Sequence, residues 1–209
     1  MSSSSGIFEF IKEYYPEYIG DQEYPVSKSV FFHKKTDDHW ILSNVAAAPL
    51  VVNGIHFKNS EHLFQVMKFA TEESVSAVYH SHSPKMTAKH YQKLGGHRRD
   101  DWGAVIIDVM KFCLQQKYDQ CPKFREELKK TKGYYIIELQ DRKTDTDSSR
   151  PNGWGVKTKG ELYVGPNIMG RLLMELRDNG KLEYHLSDDY FEFRQTILNP
   201  TNSTLCKLK

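Results

Sequence analysis

The sequence predicts an α+β domain that is predominantly helical and carries a small β-sheet. Several segments repeat apolar residues at helical spacing, one short segment flanks an Asn-Gly turn with β-branched residues, and another is rich in β-branched and aromatic residues. The chain has 209 residues, of which 39% are hydrophobic and 27% charged, with a formal net charge of +2. This length suits one domain with its own core, and the charge neither requires nor excludes a nucleic-acid partner.

The first half of the chain predicts helices around one hairpin. The predicted elements are a short helix within 7–18 that ends near Pro16, a strand over 26–33, a turn at 40–44, a hairpin over 50–57 and helices over 60–69, 72–80 and 84–94. Asn53-Gly54 indicates the hairpin, because this dipeptide favours the tight turn between antiparallel strands. Pro84 is typical of a first helical turn, and Gly95-Gly96 marks the end of the same helix.

The second half predicts a long helix, a strand and a final helix. The predicted elements are helices over 101–118 and 122–131, a strand over 134–139, a polar, turn-rich loop over 141–152 and a helix over 167–177. In the long helix, Trp102, Ile106, Val109 and Cys113 recur on one side, which is the pattern of a helix packed against a core. The tail from residue 186 onward is assigned no element.

The helix predicted over 60–69 carries the candidate catalytic pair, Glu61 and Lys68. At 100° per residue, Gln65 lies about 40° from Glu61 on the helix surface, and Lys68 lies about 20° from Glu61 on the other side. Phe64 and Phe69 flank this face. A carboxylate and an amine edged by aromatic rings are typical of an acid/base and a nucleophile. The alternative is a Glu–Lys pair on a solvated helix face.

The start of this helix has its own signal. Asn59 or Ser60 is suited to cap the first turn. Glu61 would then lie near the positive end of the helix dipole, which favours its ionised form.

Taken together, these motifs resemble the YbiA-like, or NADAR, superfamily of N-glycosidases over roughly residues 28–180. The matching residues occur in the family's order: Leu42-Ser43-Asn44, Pro49, Ser60-Glu61-His62, Gln65, Lys68-Phe69, Arg99, Trp102, Met110, Lys117, Ile137-Glu138, Trp154-Gly155, Gly165, Asn167, Gly170, Leu173-Met174 and Arg177. The resemblance implies a YbiA-like single domain with a pocket for a ribosyl phosphate ligand. It also implies hydrolysis of a bond between ribose C1 and nitrogen. It divides the chain into an N-terminal extension (1–27), a catalytic domain (28–185) and a C-terminal tail (186–209).

The resemblance assigns roles to individual residues. Glu61 and Lys68 are expected to be catalytic, and the substrate-binding residues are expected to be Ser43, Asn44, Phe64, Gln65, Arg99, Trp102, Asn152, Trp154, Gly155 and Asn167. Trp154 would stack on a base or a ribose, with Gly155 allowing close approach. Asn167 would cap the helix that follows, whose exposed N–H groups would hold a phosphate. Arg98 and Arg99 would pair with phosphate oxygens, or else form a solvated charge cluster.

Two positions depart from the family pattern. The family usually has Gly and Phe just before Ser43-Asn44, where this chain has Trp40 and Leu42. The family also has Asp three residues before the Trp-Gly pair, where this chain has Pro151. Whether Asn152 or an aspartate of the preceding loop replaces that acid stays open at this point.

The expected activity is hydrolysis of the ribose C1–N bond of ADP-ribosylated guanine, which would reverse nucleic-acid ADP-ribosylation. The alternatives are N-glycosidase action on phosphoribosylated riboflavin intermediates and non-catalytic binding of ADP-ribose or a nucleotide. Partners would be the ADP-ribosyl or phosphoribosyl nucleobase substrate and ADP-ribosylated DNA or RNA. No cofactor is expected, and no metal site, because the nine histidines show no recognisable ligand spacing.

The expected location is the cytoplasm, with the nucleus as an alternative in a eukaryote. The N-terminus lacks the charged and apolar regions of a signal peptide, and no apolar run reaches 18 residues, so no membrane association is expected. The three cysteines have no CxxC spacing, which favours free thiols in a reducing compartment.

Overall fold

The computed structural model describes residues 7–140, 153–193 and 197. The predicted loop over 141–152, which includes Asn152, lies outside the described residues, as does most of the predicted tail. The α-helices of the described part are α1 Ile7–Tyr14, α2 Ser60–Met67, α3 Glu72–His80, α4 Pro84–Leu94, α5 Trp102–Gln120, α6 Pro122–Lys130 and α7 Ile168–Asn179. Four short 3-10 helices cover Pro16–Tyr18, Val26–Lys28, Trp40–Leu42 and Asp188–Phe191. This architecture confirms the predicted helical α+β class.

The strands form three small sheets. They are β1 Gln22–Pro25, β2 Ser29–Phe32, β3 Leu50–Val52, β4 Ile55–Phe57, β5 Tyr135–Glu138, β6 Lys157–Lys159 and β7 Leu162–Gly165. The largest sheet is antiparallel with the order β1-β7-β6, and β3 and β4 form the predicted hairpin. Strands β2 and β5 pair in parallel, with Val30 opposite Ile136. A parallel pair needs a long crossover, and this one contains α2 to α6.

The long helix α5 is the centre of the core. It packs against α1, α2, α6 and α7, and its residues Ile107, Val109, Cys113 and Leu114 are fully buried. Each aliphatic side chain removed from water in this way contributes roughly 1.5–3 kcal/mol. Helix α2 is held between α5, α4 and α3, so none of its faces is left to solvent.

The strongest local signals are confirmed. Helices α3 and α4 begin and end where the sequence predicts. The β3–β4 turn has Asn53 at φ 52° and Gly54 at φ 78°. Two consecutive positive φ angles define the turn that Asn-Gly favours.

Strands β1, β6 and β7 were not predicted. Strand β6 reads Lys-Thr-Lys and is mostly exposed, and β1 contains Pro25. Neither shows the alternation of apolar and polar residues that identifies a half-buried strand. They are strands because they flank β7, whose Tyr163 is buried. Tertiary pairing therefore decides these segments, and local propensity does not.

Candidate active site

Helix α2 brings the predicted carboxylate into a buried position. Glu61 and Gln65 are each 7% exposed, and all eight residues of α2 are buried. The helix begins as predicted, because the Asn59 side chain accepts a hydrogen bond of 2.9 Å from the backbone N–H of His62. Burial excludes the alternative that Glu61 belongs to a solvated surface pair.

Two side-chain amides hold the Glu61 carboxylate. Asn44 Nδ2 donates to Glu61 Oε2 at 2.5 Å, and Gln65 Nε2 donates to Glu61 Oε1 at 2.9 Å. Donors of this kind stabilise the ionised form of a carboxylate. The Lys85 amine lies 4.0 Å from Glu61 Oε1 and is 72% exposed, so it marks the solvent side of the site. Glu61 is thus arranged to accept a proton.

The backbone around Asn44 is fixed from two directions. Its carbonyl accepts hydrogen bonds from the Glu61 N–H at 2.9 Å and from Ser60 Oγ at 3.1 Å. The fully buried Lys117 amine donates to the carbonyls of Ile41 at 2.6 Å and Ser43 at 2.7 Å. Burial lowers the pKa of Lys117 to about 7. Lys117 and the Ser43 backbone therefore position Asn44 against Glu61.

The neighbouring motif residue His62 is structural. Its Nδ1 accepts from the Lys58 N–H at 3.1 Å, and its Nε2 donates to the Tyr79 carbonyl at 3.1 Å. Burial lowers the pKa of His62 to about 4, so the ring is neutral. Within Ser60-Glu61-His62, only Glu61 faces the candidate site.

Lys68 follows the last residue of α2 and has no direct ion pair with Glu61. Its Nζ donates to Gln92 Oε1 at 2.7 Å and lies 5.9 Å from the centroid of the Trp102 ring. Burial lowers the pKa of Lys68 to about 8, helped by the positive charge of Arg98 and opposed by Glu61. At pH 7.5 roughly a quarter of such amines are uncharged. This is the environment that a nucleophilic lysine needs.

Three aromatic rings from distant segments form one wall of the site. The Phe64 ring meets Trp102 edge to face at a centroid distance of 5.1 Å and meets Trp154 at 5.9 Å. The sequence predicts all three as substrate-binding residues, and the fold brings them together. Phe64 and Trp102 are buried, at 6% and 2% exposed, whereas Trp154 is partly exposed. Trp154 is therefore the ring of this wall that a substrate ring can reach.

Gly155 and Asn167 both lie against the backbone of strand β5. A Cβ on Gly155 would lie 2.2 Å from the Glu138 carbonyl oxygen, so only glycine fits there. Asn167 is fully buried in the left-handed conformation, and its side chain donates to the Ile136 carbonyl at 2.9 Å and accepts from the Glu138 N–H at 3.2 Å. Asn167 is the N-cap residue of α7, as predicted, but its side chain makes no capping hydrogen bond, because strand β5 takes both of its polar atoms. Its predicted substrate contact stays a prediction.

The adjacent residues Arg98 and Arg99 contact different partners. Arg99 pairs with Asp101, with 3.3 Å between Nε and Oδ1, and with Asp189, and its guanidinium stacks 3.7 Å from the centroid of Tyr190. We call these four residues the Arg99 cluster. In the described part of the chain, the Arg98 guanidinium contacts the Phe10 ring and no carboxylate. Arg98 is therefore better placed than Arg99 for a phosphate.

A cavity of about 580 Å³ lies beside the Arg99 cluster. All four residues of the Arg99 cluster line it, together with apolar residues of α2 and α3 and further acidic residues, and neither Glu61 nor Lys68 lines it. It is separate from the candidate active site.

Sequence reasoning missed two residues of α4 and left a third without a role. Lys85 and Gln92 are seven positions apart, so they share one helix face, and this face meets Glu61 and Lys68. The spacing of Lys85 and Gln92 can be seen in the sequence. The residues that this face of α4 contacts cannot. Glu138 was noted as part of a motif, and its side chain proves to be influenced by the charge of Glu61.

The described residues contain no group of three His, Cys, Asp or Glu side chains that would hold a metal ion. Across the described helices, none combines the length and the apolar character needed to cross a membrane.

Comparison with known proteins identifies the family. A family model described as NADAR domain matches residues 30–180. The chain is 32% identical over 152 residues to N-glycosidase YbiA of Escherichia coli (strain K12) and of Shigella flexneri, covering 73% of this chain and 88% of each relative. It is 24% identical over 179 residues to the riboflavin biosynthesis protein VVA0006 of Vibrio vulnificus, covering 84% of this chain and 44% of that relative.

The structural comparison agrees. The NMR structure of E. coli YbiA matches with a TM-score of 0.58 at 30% identity, covering 77% of this chain and 92% of that chain. The names of the YbiA relatives agree with the predicted enzyme class, a hydrolase that acts on N-glycosidic bonds. The family resemblance drawn from the sequence is confirmed, and the chain belongs to the NADAR domain family.

Proposed function

We propose that this protein is an N-glycosidase that hydrolyses the ribose C1–N bond of ADP-ribosylated guanine. The observation that carries the proposal is the Glu61–Lys68 arrangement. A buried carboxylate that accepts hydrogen bonds from two amides lies in α2, and a desolvated amine of lowered pKa follows at the C-cap of the same helix. Both environments are typical of catalytic groups.

The reaction begins when a proton is delivered to the ribose ring oxygen. The C1–O bond then breaks, and its electron pair stays on the ring oxygen. The lone pair of the base nitrogen forms a C1=N iminium. The neutral Lys68 amine attacks C1, and Glu61 takes a proton from the new ammonium. Glu61 then passes this proton to the base nitrogen, so that the base leaves as the free amine. A Schiff base remains between C1 and Lys68. Water then adds to C1 and releases the sugar and the lysine.

The alternative mechanism is direct hydrolysis with Lys68 only orienting Glu61. The geometry favours the nucleophile. An orienting lysine would form an ion pair with the carboxylate, whereas the Lys68 amine is bonded to Gln92 and the Glu61 carboxylate is bonded to Asn44 and Gln65.

The preference for an ADP-ribosyl group rests on cations at both ends of the site. Lys85 lies at the solvent side of Glu61, and Arg98 exerts its charge on Lys68. Two separated cations suit a ligand with a diphosphate. A net charge of +2 is compatible with approach to a nucleic acid that carries the modified guanine.

A second substrate class is a phosphoribosyl aminopyrimidine of riboflavin synthesis. The observation in its favour is the relative named riboflavin biosynthesis protein VVA0006, with which this chain aligns over 84% of its length. Its single ribosyl phosphate would use the same Glu61 and Lys68 chemistry.

The test is a direct competition between substrates. The enzyme is incubated with an ADP-ribosylated guanine oligonucleotide and, separately, with a ribosylaminopyrimidine phosphate, each with and without a chelator. We expect the higher kcat/KM for the oligonucleotide and no effect of the chelator. A clear preference for the pyrimidine would move the assignment to the second class. Binding of ADP-ribose without turnover of either substrate would contradict the enzyme proposal.

A further inference from the structure

The side chain of Glu138 ends near the site without a partner. Glu138 is the last residue of β5, and its Oε2 is buried and has no hydrogen-bond partner among the described residues. Its backbone is fixed on both sides, because its N–H donates to Asn167 Oδ1 at 3.2 Å and its carbonyl accepts from the Val156 N–H at 2.9 Å. A rigid strand therefore holds a carboxyl group whose Oε2 has no hydrogen-bond partner among the described residues.

The charged groups that act on this carboxyl belong to the candidate site. Burial is the main cause that raises the pKa of Glu138, to about 7; the negative charge of Glu61 raises it further, and the positive charge of Lys85 opposes this. Lys85 is also the cation that lies 4.0 Å from Glu61. The geometry agrees, because the Glu138 carbonyl lies against Gly155, and the neighbouring Trp154 ring meets Phe64 of α2.

The two carboxyl groups have opposite environments. Each oxygen of the Glu61 carboxylate accepts a hydrogen bond from a side-chain amide. The Glu138 Oε2 receives none and is buried beside that negative charge, which favours its protonated form. A pair of carboxyl groups separated in this way divides acid and base roles between its members.

We propose that Glu138 is a further catalytic residue of this site, the acid that donates the proton to the ribose ring oxygen. This rests on the proposed N-glycosidase function. The Glu138 O–H bond breaks, its proton goes to the ring oxygen, and the C1–O bond electrons go to that oxygen as the sugar opens. When the freed sugar closes again, the same hydroxyl attacks C1 and returns its proton to the Glu138 carboxylate. The C1 oxygen takes the proton of the Lys68 ammonium that hydrolysis of the Schiff base leaves, which restores the neutral amine.

This role also explains why a costly group is kept. A buried carboxyl without a partner lowers the stability of a fold, and an amide or apolar residue in its place would lower it less. The folded state binds the Glu138 proton up to about pH 7, whereas the unfolded chain loses it near its ordinary pKa of 4.5. The contribution of Glu138 to stability therefore falls as the pH rises from about 4.5 to 7 and stays unfavourable above that.

The experiment compares the wild type, Glu138→Gln, Glu61→Gln and Glu127→Gln. Glu127 is the matched control, because it is a mostly buried glutamate of α6 whose carboxylate is paired with His39 and Lys130. Turnover of the preferred ribosyl substrate is measured against pH, and carboxyl titration in the free enzyme is followed by NMR with ¹³C-labelled glutamate. Thermal unfolding above pH 7 is measured in parallel.

We expect Glu138→Gln to lose roughly 10²-fold or more in kcat while its melting temperature above pH 7 stays the same or rises. The Glu127→Gln control should keep its turnover. A carboxyl with a midpoint near 7 should be absent from Glu138→Gln, and its midpoint should fall in Glu61→Gln, because one negative neighbour is gone.

Wild-type turnover in Glu138→Gln, or a Glu138 midpoint that Glu61→Gln leaves unchanged, would overturn the proposal. The titration needs no substrate. If no ribosyl substrate is turned over while the two carboxyl groups still titrate as a coupled pair, the proposed function has failed and the shared site stands.

Discussion

The Glu61–Lys68 site and the Arg99 cluster contain similar side chains but differ in how their charged groups are paired. Both combine charged groups with aromatic rings, and both contain residues that match the family motifs. In the Arg99 cluster every charge has an opposite charge or a donor: Arg99 pairs with Asp101 and Asp189, and the Tyr190 hydroxyl donates to Asp101 at 2.8 Å. In the Glu61–Lys68 site, amides hold the carboxylate, the amine is not ion-paired with it, and the Glu138 Oε2 has no partner among the described residues.

The difference indicates which cluster stabilises and which reacts. A closed set of ion pairs lowers the energy of the fold and has no bonding capacity left for a ligand. Charged groups that are held in place but incompletely neutralised can still bind the substrate and the transition state. The pKa of Lys68 is lowered to about 8 and that of Glu138 is raised to about 7, so both shifts favour the neutral forms. In the Arg99 cluster the pKa of Arg99 is raised and that of Asp189 is lowered, so both shifts favour the charged forms.

The largest expected effect is that of Glu61→Gln. The amide keeps the shape of the side chain and removes its ability to accept a proton. We expect kcat to fall by roughly 10²–10⁴-fold with little change in the unfolding transition. Steady-state kinetics and a thermal melt measure both quantities. A variant with unchanged kcat would make Glu61 a structural residue like those of the Arg99 cluster.

An intermediate effect is expected for Lys117→Met. The thioether fills much of the same volume but leaves the Ile41 and Ser43 carbonyls without their donor. Asn44 should then lose its fixed position against Glu61, and we expect kcat to fall about tenfold or more. The melting temperature should also fall, because each buried carbonyl left unpaired costs about 1–3 kcal/mol.

The two effects of Lys117→Met have separate readouts. A loss of stability with kcat unchanged at a temperature where the variant is fully folded would show that the 40–46 turn does not depend on this lysine for catalysis. Lys123→Met, an exposed lysine of α6, is the matched control and should alter neither quantity.

The smallest effect on activity is expected for Arg99→Gln. The change breaks two ion pairs and the stacking on Tyr190, so the free energy of unfolding should fall by about 1–2 kcal/mol, a value discounted because Asp189 is half exposed. The melting temperature should fall by a few degrees, and kcat/KM should change less than about threefold. A large rise in KM with the stability intact would return Arg99 to the substrate-binding set that the sequence predicts.

Arg98→Gln tests the arginine that lies outside the Arg99 cluster. The Arg98 side chain packs on Phe10 and pairs with no carboxylate in the described part of the chain. We expect the stability to change little and the KM for a phosphate-bearing substrate to rise about tenfold. The same substrate lacking its phosphates should show no such difference between the variant and the wild type.

The sequence predicts the elements that depend on local signals. The β3–β4 turn, the starts of α3 and α4, and the shared face of Glu61, Gln65 and Lys68 all follow from local residue types and helical spacing. The loop that carries Asn44 was identified through its motif, but its contact with Glu61 was not.

What could not be predicted depends on which segments meet in space. Strands β1 and β6 exist only because β7 lies between them. Asn167 looks like a helix cap in the sequence, but its backbone is left-handed and its side chain binds β5. Glu138 is an unremarkable strand end until burial and the neighbouring Glu61 define its environment.

The most direct test of the account is chemical trapping on Lys68. Borohydride added during turnover reduces a Schiff base to a stable amine, and peptide mass spectrometry then locates the sugar. We predict an adduct on Lys68 in the wild type. We predict none in Lys68→Arg, whose turnover should fall as far as that of Lys68→Ala, because a guanidinium stays protonated and cannot form the imine. Substantial turnover by Lys68→Arg with nothing trapped, or an adduct on Lys58 or Lys117 instead, would contradict the account.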